Sequence, residues 1–306
     1  MLGLCCELVA YSPTKGWANL LPCKTLQLGK LRERRYSDES IKQCYLSNLR
    51  ELRWALPKIL GLGIKFFRIS SSLFPLYDQV NPETYLNSEV TEHLQAIGAY
   101  ALRFGMRINT HPGQFVVLSS ESPRVVYNSI RELNFHAWIF DQMGLPATPY
   151  YNINVHGGKS GRPSGLLRGI EKLQPSARKR LTLENDEFCY SVAELLPVCH
   201  ESGTPMVFDS HHHTLNPDGL SDADALEKAI ATWEATIRPT THLSNTQPEM
   251  RSSSSIRDRR IHSEMIDYIP DSQLLAYKEG RIDIEVEAKA KNLAIDTLVA
   301  RFEVTR

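Results

Sequence analysis

The chain has 306 residues, 42% hydrophobic and 23% charged. That balance excludes a wholly disordered polymer and suits one large α/β barrel or two smaller domains. Lys plus Arg and Asp plus Glu are each 35, for a formal net charge of zero, which argues against polyanion binding by bulk charge while leaving a local basic surface open.

No apolar run exceeds four residues, so no membrane span is expected. Residues 1–7 lack the basic start and long apolar core of a secretory signal. The six cysteines include no CxxC pair, and reduced thiols in a cytoplasmic protein are expected. Short apolar runs predict strands over residues 2–8, 65–70, 106–110, 151–155, 180–183, 205–208, 241–243 and 282–286. Between them lie helical patterns. One begins near Ser37, with Ile41, Tyr45, Leu49, Leu52 and Leu56 on one stripe. Others cover residues 86–104, start at Ser122 with Pro123 suited to the first helical position, span 221–233, and close the chain over 292–302. Residues 244–262 read as a long loop with Arg251, Arg257, Arg259 and Arg260 around four consecutive serines.

Eight strands alternating with helices predict a single (β/α)8 TIM barrel over residues 1–306. The rival doubly wound sheet lacks its glycine-rich loop, because Leu8-Val9-Ala10-Tyr11-Ser12 follows the first strand. Six successive strands end in residues that bind metals. They are His111, His156, Glu184, Asp209, His242 and Glu287. In a barrel these positions face one mouth. Converging carboxylates repel one another, and divalent cations resolve that conflict. The imidazole and carboxylate mixture suits two or three ions such as Mn²⁺ or Zn²⁺ better than Mg²⁺. A lone His or Glu at a strand end is more often structural or solvated; six agreeing positions favour a metal site. Of the run His211-His212-His213, at most one or two rings can face the mouth.

Such a cluster suits hydrolysis of a phosphodiester by activated water. Basic loops on the same face suit phosphates: Lys24, Lys30, Arg32, Arg34 and Arg35, then Lys159, Arg162 and Arg168, then the arginine-rich loop. The alternative for the first group, which includes Glu33, is a solvated face. Gln114-Phe115 in a Pro-Gly turn after His111 can wedge into a base stack, or Phe115 can join Val116, Val117 and Leu118 in the core.

The motifs Arg68-Ile69-Ser70-Ser71-Ser72, His111-Pro112-Gly113-Gln114-Phe115, Val155-His156-Gly157-Gly158, Leu183-Glu184-Asn185-Asp186, Phe208-Asp209-Ser210-His211-His212, Thr241-His242-Leu243-Ser244, His262 with Asp267-Tyr268, and Glu287-Ala288-Lys289 occur in this order. Together they resemble the UV-damage endonucleases, barrel repair nucleases distantly similar to endonuclease IV. The resemblance implies nicking of double-stranded DNA immediately 5′ of a cyclobutane dimer or 6-4 photoproduct, by a monomeric enzyme at the nucleoid. It implies up to three divalent ions, usually manganese, with Zn or Mg as substitutes. On matching positions His111, His156, Glu184, Asp209, His212, His242, His262 and Glu287 are the implied ligands. Gln114 and Phe115 are the implied probe of the duplex, where family members often have Tyr in place of Phe115. Arg68, Arg257, Arg259 and Arg260 are expected at the DNA, and Lys159 at the developing phosphate charge or at a more distant phosphate.

Two departures stand out. Some members carry a modifiable lysine two residues before the seventh-strand histidine, where Thr240 stands here. An aromatic and an Asn of the first-strand motif are replaced by Leu4 and Leu8. Alternatives on the same ligand set are a metal-dependent sugar isomerase or epimerase, an abasic-site endonuclease, or a non-catalytic damaged-DNA binding module with structural metals.

Overall fold

The computed structural model describes residues 1–14 and 16–306. Its strands, in chain order, are β1 Leu2–Cys5, β2 Val9–Ser12, β3 Gly16–Asn19, β4 Phe66–Ile69, β5 Arg107–Thr110, β6 Ile153–His156, β7 Leu181–Glu184, β8 Met206–Asp209, β9 Thr240–Leu243 and β10 Asp283–Val286. β1 and β4 to β10 close into an eight-stranded barrel in sequence order, and every neighbouring pair is parallel. All eight predicted barrel strands form, within a few residues of their expected bounds.

Parallel strands bury both faces, and here alternate residues sort by destination. On β10, Ile284 and Val286 belong to the apolar shell beneath the helices. Asp283 and Glu285 instead reach buried partners on strands across the barrel, Arg107 and Arg68. The lower interior is thus charged and closed. Arg107 is fully buried, bonds Asp283 at 2.8 Å and donates to the carbonyls of Tyr150 and Arg238 at 2.9 Å.

The outer helices follow the predicted stripes. The helix Asp38–Gly61 is capped by Ser37 and buries Ile41, Tyr45, Leu49, Leu52 and Leu56. Ser88–Arg103 is capped by Asn87. It touches the end of helix Pro123–Gln142 at Gly98, where a Cβ would overlap the Met143 carbonyl oxygen.

Three expectations need correction. The first strand stops at Cys5, not residue 8, because Cys6 turns the chain with φ 63°. An unpredicted hairpin, β2–β3, follows on the mouth side, with Tyr11 opposite Trp17. Residues 244–262 are less loose than expected: they contain a short helix Ile256–Arg259, and Thr246 bridges His262. Among the described residues, no helix is long and apolar enough to cross a membrane.

Candidate metal centre

Strand register brings the ligand-type residues together. His156 pairs with Glu184 across β6 and β7, and Asp209 with His242 across β8 and β9. His111 and Glu287 stand one residue beyond β5 and β10. Six positions scattered over the chain therefore meet at one level of the mouth, where active sites of this fold lie.

Glu184 is the hub. Its Oε2 lies 3.0 Å from His111 Nε2 and 3.8 Å from His156 Nε2. Its Oε1 lies 3.1 Å from both His212 Nδ1 and His242 Nδ1, and Asn154 donates to Oε2 from the neighbouring strand. Burial alone would raise the Glu184 carboxyl, but His242, His156, His111 and His212 hold it well below the usual carboxylate range. Burial also pushes His156 below its ordinary value, leaving a neutral ring with a free lone pair. For His242 burial works the same way but loses to Glu184 and Glu287, which drive it up to about 10. A cation entering beside His242 must therefore displace a proton.

The donor set fits divalent ions. Four groups place one ligand atom per residue within 4.8 Å of one another: His111–His156–Glu184, Glu184–Asp209–His212, Asp209–His242–Glu287, and His156–Glu187–His212. Asp209 Oδ2 and His242 Nδ1 are buried and make no hydrogen bond among the described residues. They lie 3.9 Å apart, and Asp209 Oδ2 lies 3.7 Å from His212 Nδ1. Orphaned buried atoms on opposed donors are what a cation would satisfy.

Of the histidine run, one ring joins the cluster. His212 faces Glu184, while His211 bonds Ser244 and Thr246, and His213 bonds the Leu220 carbonyl. His262 stands at the edge, with Nδ1 3.8 Å from Glu287 Oε2, and joins none of the four groups.

Arg68, expected at the DNA, is corrected by its burial at 7% exposure. It forks onto Glu285 at 2.8 Å through two nitrogens and reaches Glu287 at 2.5 Å. Its guanidinium is the barrel's own counter-ion. Lys159 lies on the mouth rim, half exposed, with its ammonium 3.3 Å from Glu121. Arg162 shares that carboxylate, and Arg168 sits on helix Pro163–Glu171 and not in the loop. Arg260 bonds Glu187 at 3.0 Å, Arg251 pairs with Asp267, and Arg257 is exposed. Arg259 is half-buried and its backbone carbonyl accepts from Thr246. Thr240 and the substituted Leu4 and Leu8 are buried.

Gln114 and Phe115 project from the mouth. Phe115 is 67% exposed, which decides against its place in the core, while Val116 and Leu118 are buried. Its ring lies over Gly113, where a Cβ would come within 2.6 Å. Gln114, His156, Lys159, Glu187 and Phe188 help line a cavity of about 290 Å³.

Sequence reasoning missed Glu187, Asn154 and Glu285. Glu187 was visible as the last residue of Leu183-Glu184-Asn185-Asp186-Glu187, but it ends no strand. Asn154 and Glu285 each stand two residues before a ligand, the signature of the next layer down a barrel strand.

The chain is thus a parallel eight-stranded barrel with imidazoles and carboxylates gathered at its mouth in groups that could hold metal ions. The family model described as UV-endonuclease UvdE matches residues 2–306. The UV DNA damage endonuclease of a Nostoc species is 38% identical over 264 residues, covering 84% of this chain and 78% of that protein. That of Deinococcus radiodurans is 37% identical over 285 residues, covering 90% and 89%. The crystal structure of SacUVDE superposes with a TM-score of 0.80 at 27% identity, covering 99% of this chain and 98% of that one. Endonuclease IV from Thermus thermophilus shares the fold, with a TM-score of 0.54 at 16% identity over 82% of this chain and 94% of that one. The chain belongs to the UV-endonuclease UvdE family.

Proposed function

We propose that this protein is a DNA repair endonuclease that nicks UV-damaged duplex DNA immediately 5′ of cyclobutane dimers and 6-4 photoproducts. The observation that carries the reading is the convergence of His111, His156, Glu184, Asp209, His212, His242 and Glu287 on one mouth in a chain of this family. Two or three divalent ions bound there, manganese fitting the donors best, would acidify a water and offset charge on the scissile phosphate. Glu184, Asp209 and Glu287 hold the site's negative charge; the imidazoles, with His262 at the edge, fix its shape. Gln114 and the exposed Phe115 ring enter the duplex opposite the lesion, where damaged stacking costs less to open. Lys159 meets a phosphate, the scissile one or one further along the strand. Arg257 and Arg259 belong to the loop that follows the backbone. The protein works as a monomer in the cytoplasm, at the nucleoid.

The test is cleavage of an oligonucleotide duplex carrying one defined photoproduct, with Mn²⁺ and with chelator. A single nick 5′ of the lesion, only with metal, is expected. Equal cleavage of undamaged duplex, nicking in chelator, or lesion binding without scission would overturn the reading. Cleavage of only an abasic duplex would move it to the sister activity.

A further inference from the structure

The cluster contains one carboxylate that the reading above leaves unused. Glu187 is 6% exposed, and its Oε1 accepts a hydrogen bond from Arg260 Nη1 at 3.0 Å. Its Oε2 stands 3.6 Å from His212 Nε2, too far for a hydrogen bond. That gap matches the spacing of two donors on one ion, since ligand bonds of about 2.0–2.2 Å set tetrahedral ligand atoms roughly 3.3–3.6 Å apart.

The His212 ring gives an independent reason. Its Nδ1 lies 3.0 Å from the Asn185 carbonyl oxygen, which can only accept. With Nδ1 turned to that carbonyl and to Glu184 Oε1 at 3.1 Å, Nε2 is the ring atom that faces Glu187. His156 supplies the third ligand atom of the group. His156 and Glu187 also line the 290 Å³ cavity beside Gln114.

We propose that Glu187, with His156 and His212, holds a divalent cation of the borderline class at the cavity wall, and that Arg260 fixes the carboxylate through its other oxygen. Arg260 is then a positioning residue for the metal site and not a phosphate contact. The inference rests on the metal-dependent reading above.

Two experiments on the full chain test it. A crystal soaked in Mn²⁺ is expected to show an anomalous peak within bonding reach of Glu187, His156 and His212. A Mn²⁺ titration followed by electron paramagnetic resonance is expected to show Glu187→Gln binding one ion fewer than the unaltered protein, with the same circular dichroism and melting in chelator. Peaks confined to the strand-end carboxylates, or equal stoichiometry in Glu187→Gln, would overturn the proposal while leaving the endonuclease reading intact. Should Glu187→Gln fail to fold, the soaked crystal of the unaltered protein decides. Manganese bound nowhere would sink the metal-dependent reading itself, and this inference with it.

Discussion

Glu184 touches four imidazoles and one amide, so its charge cannot be replaced by rearrangement nearby. Residues behind a metal ligand typically contribute 10–100-fold to affinity or activity, so loss of the ligand charge should exceed about 100-fold. Glu184→Gln is accordingly expected to lose nicking by more than that factor and to retain damaged-duplex binding, read by gel shift beside a nicking assay. Arg68 makes a different prediction. Removing one partner of a buried ion pair typically costs about 3–5 kcal/mol, because the other charge is stranded. Arg68→Met should be destabilised by that order in urea unfolding. Glu285 supplies the pH dependence. Burial alone would raise its carboxyl, but Arg68 and His242 hold it at about 2, against an ordinary value of 4.5. A depressed carboxyl stabilises the fold above its unfolded value and stops doing so as pH falls through its folded value. Stability should therefore decline between pH 4.5 and about 2, followed by circular dichroism, and the decline should begin at higher pH in Arg68→Met.

At the level of elements, the barrel strands were legible because each is a short apolar run bounded by turn residues. Their ligand residues were legible for the same reason, since the end of a run is visible without knowing its partners. The interior layer was not. Arg68 reads like a polar residue at a strand end, and its partner Glu285 lies 217 residues away, a pairing that no local pattern encodes. The β2–β3 hairpin escaped because Val9 and Ala10 read as a continuation of the first apolar run, and the largely exposed Gly16–Asn19 carries no apolar run of its own. Phe115 sits beside Val116 and Leu118, so composition alone left it between core and surface; the Gly113 turn lifts it out. Phe115→Ala should leave stability within about 0.5 kcal/mol, as for other exposed positions, yet reduce discrimination between damaged and undamaged duplex in a competition assay. Helix Val192–Ser202, after the Glu184 loop, opens with a reciprocal capping box between Ser191 and Glu194. Ser191→Ala should cost about 1 kcal/mol, seen as a lower urea midpoint with unchanged slope.

Across the whole molecule, zero net charge conceals strong sorting. Carboxylates gather at the centre of the mouth, while Lys24, Arg32, Arg34, Arg35 and Arg257 stay exposed on the outside. Ions bound to the folded state alone add about 2.7 kcal/mol each at a hundred times their dissociation constant. With roughly 2–4 °C per kcal/mol for chains of this order, chelator should lower the melting temperature by roughly 5–10 °C for one such ion. Scanning calorimetry with EDTA and then with added Mn²⁺ would measure it.

The guanidinium inside the barrel has a further consequence for how the protein comes into being. Arg68 already neutralises part of the acidic centre, pairing with Glu285 and Glu287, so a newly made polypeptide can close its barrel on its own charges, without an outside cation to hold those carboxylates together.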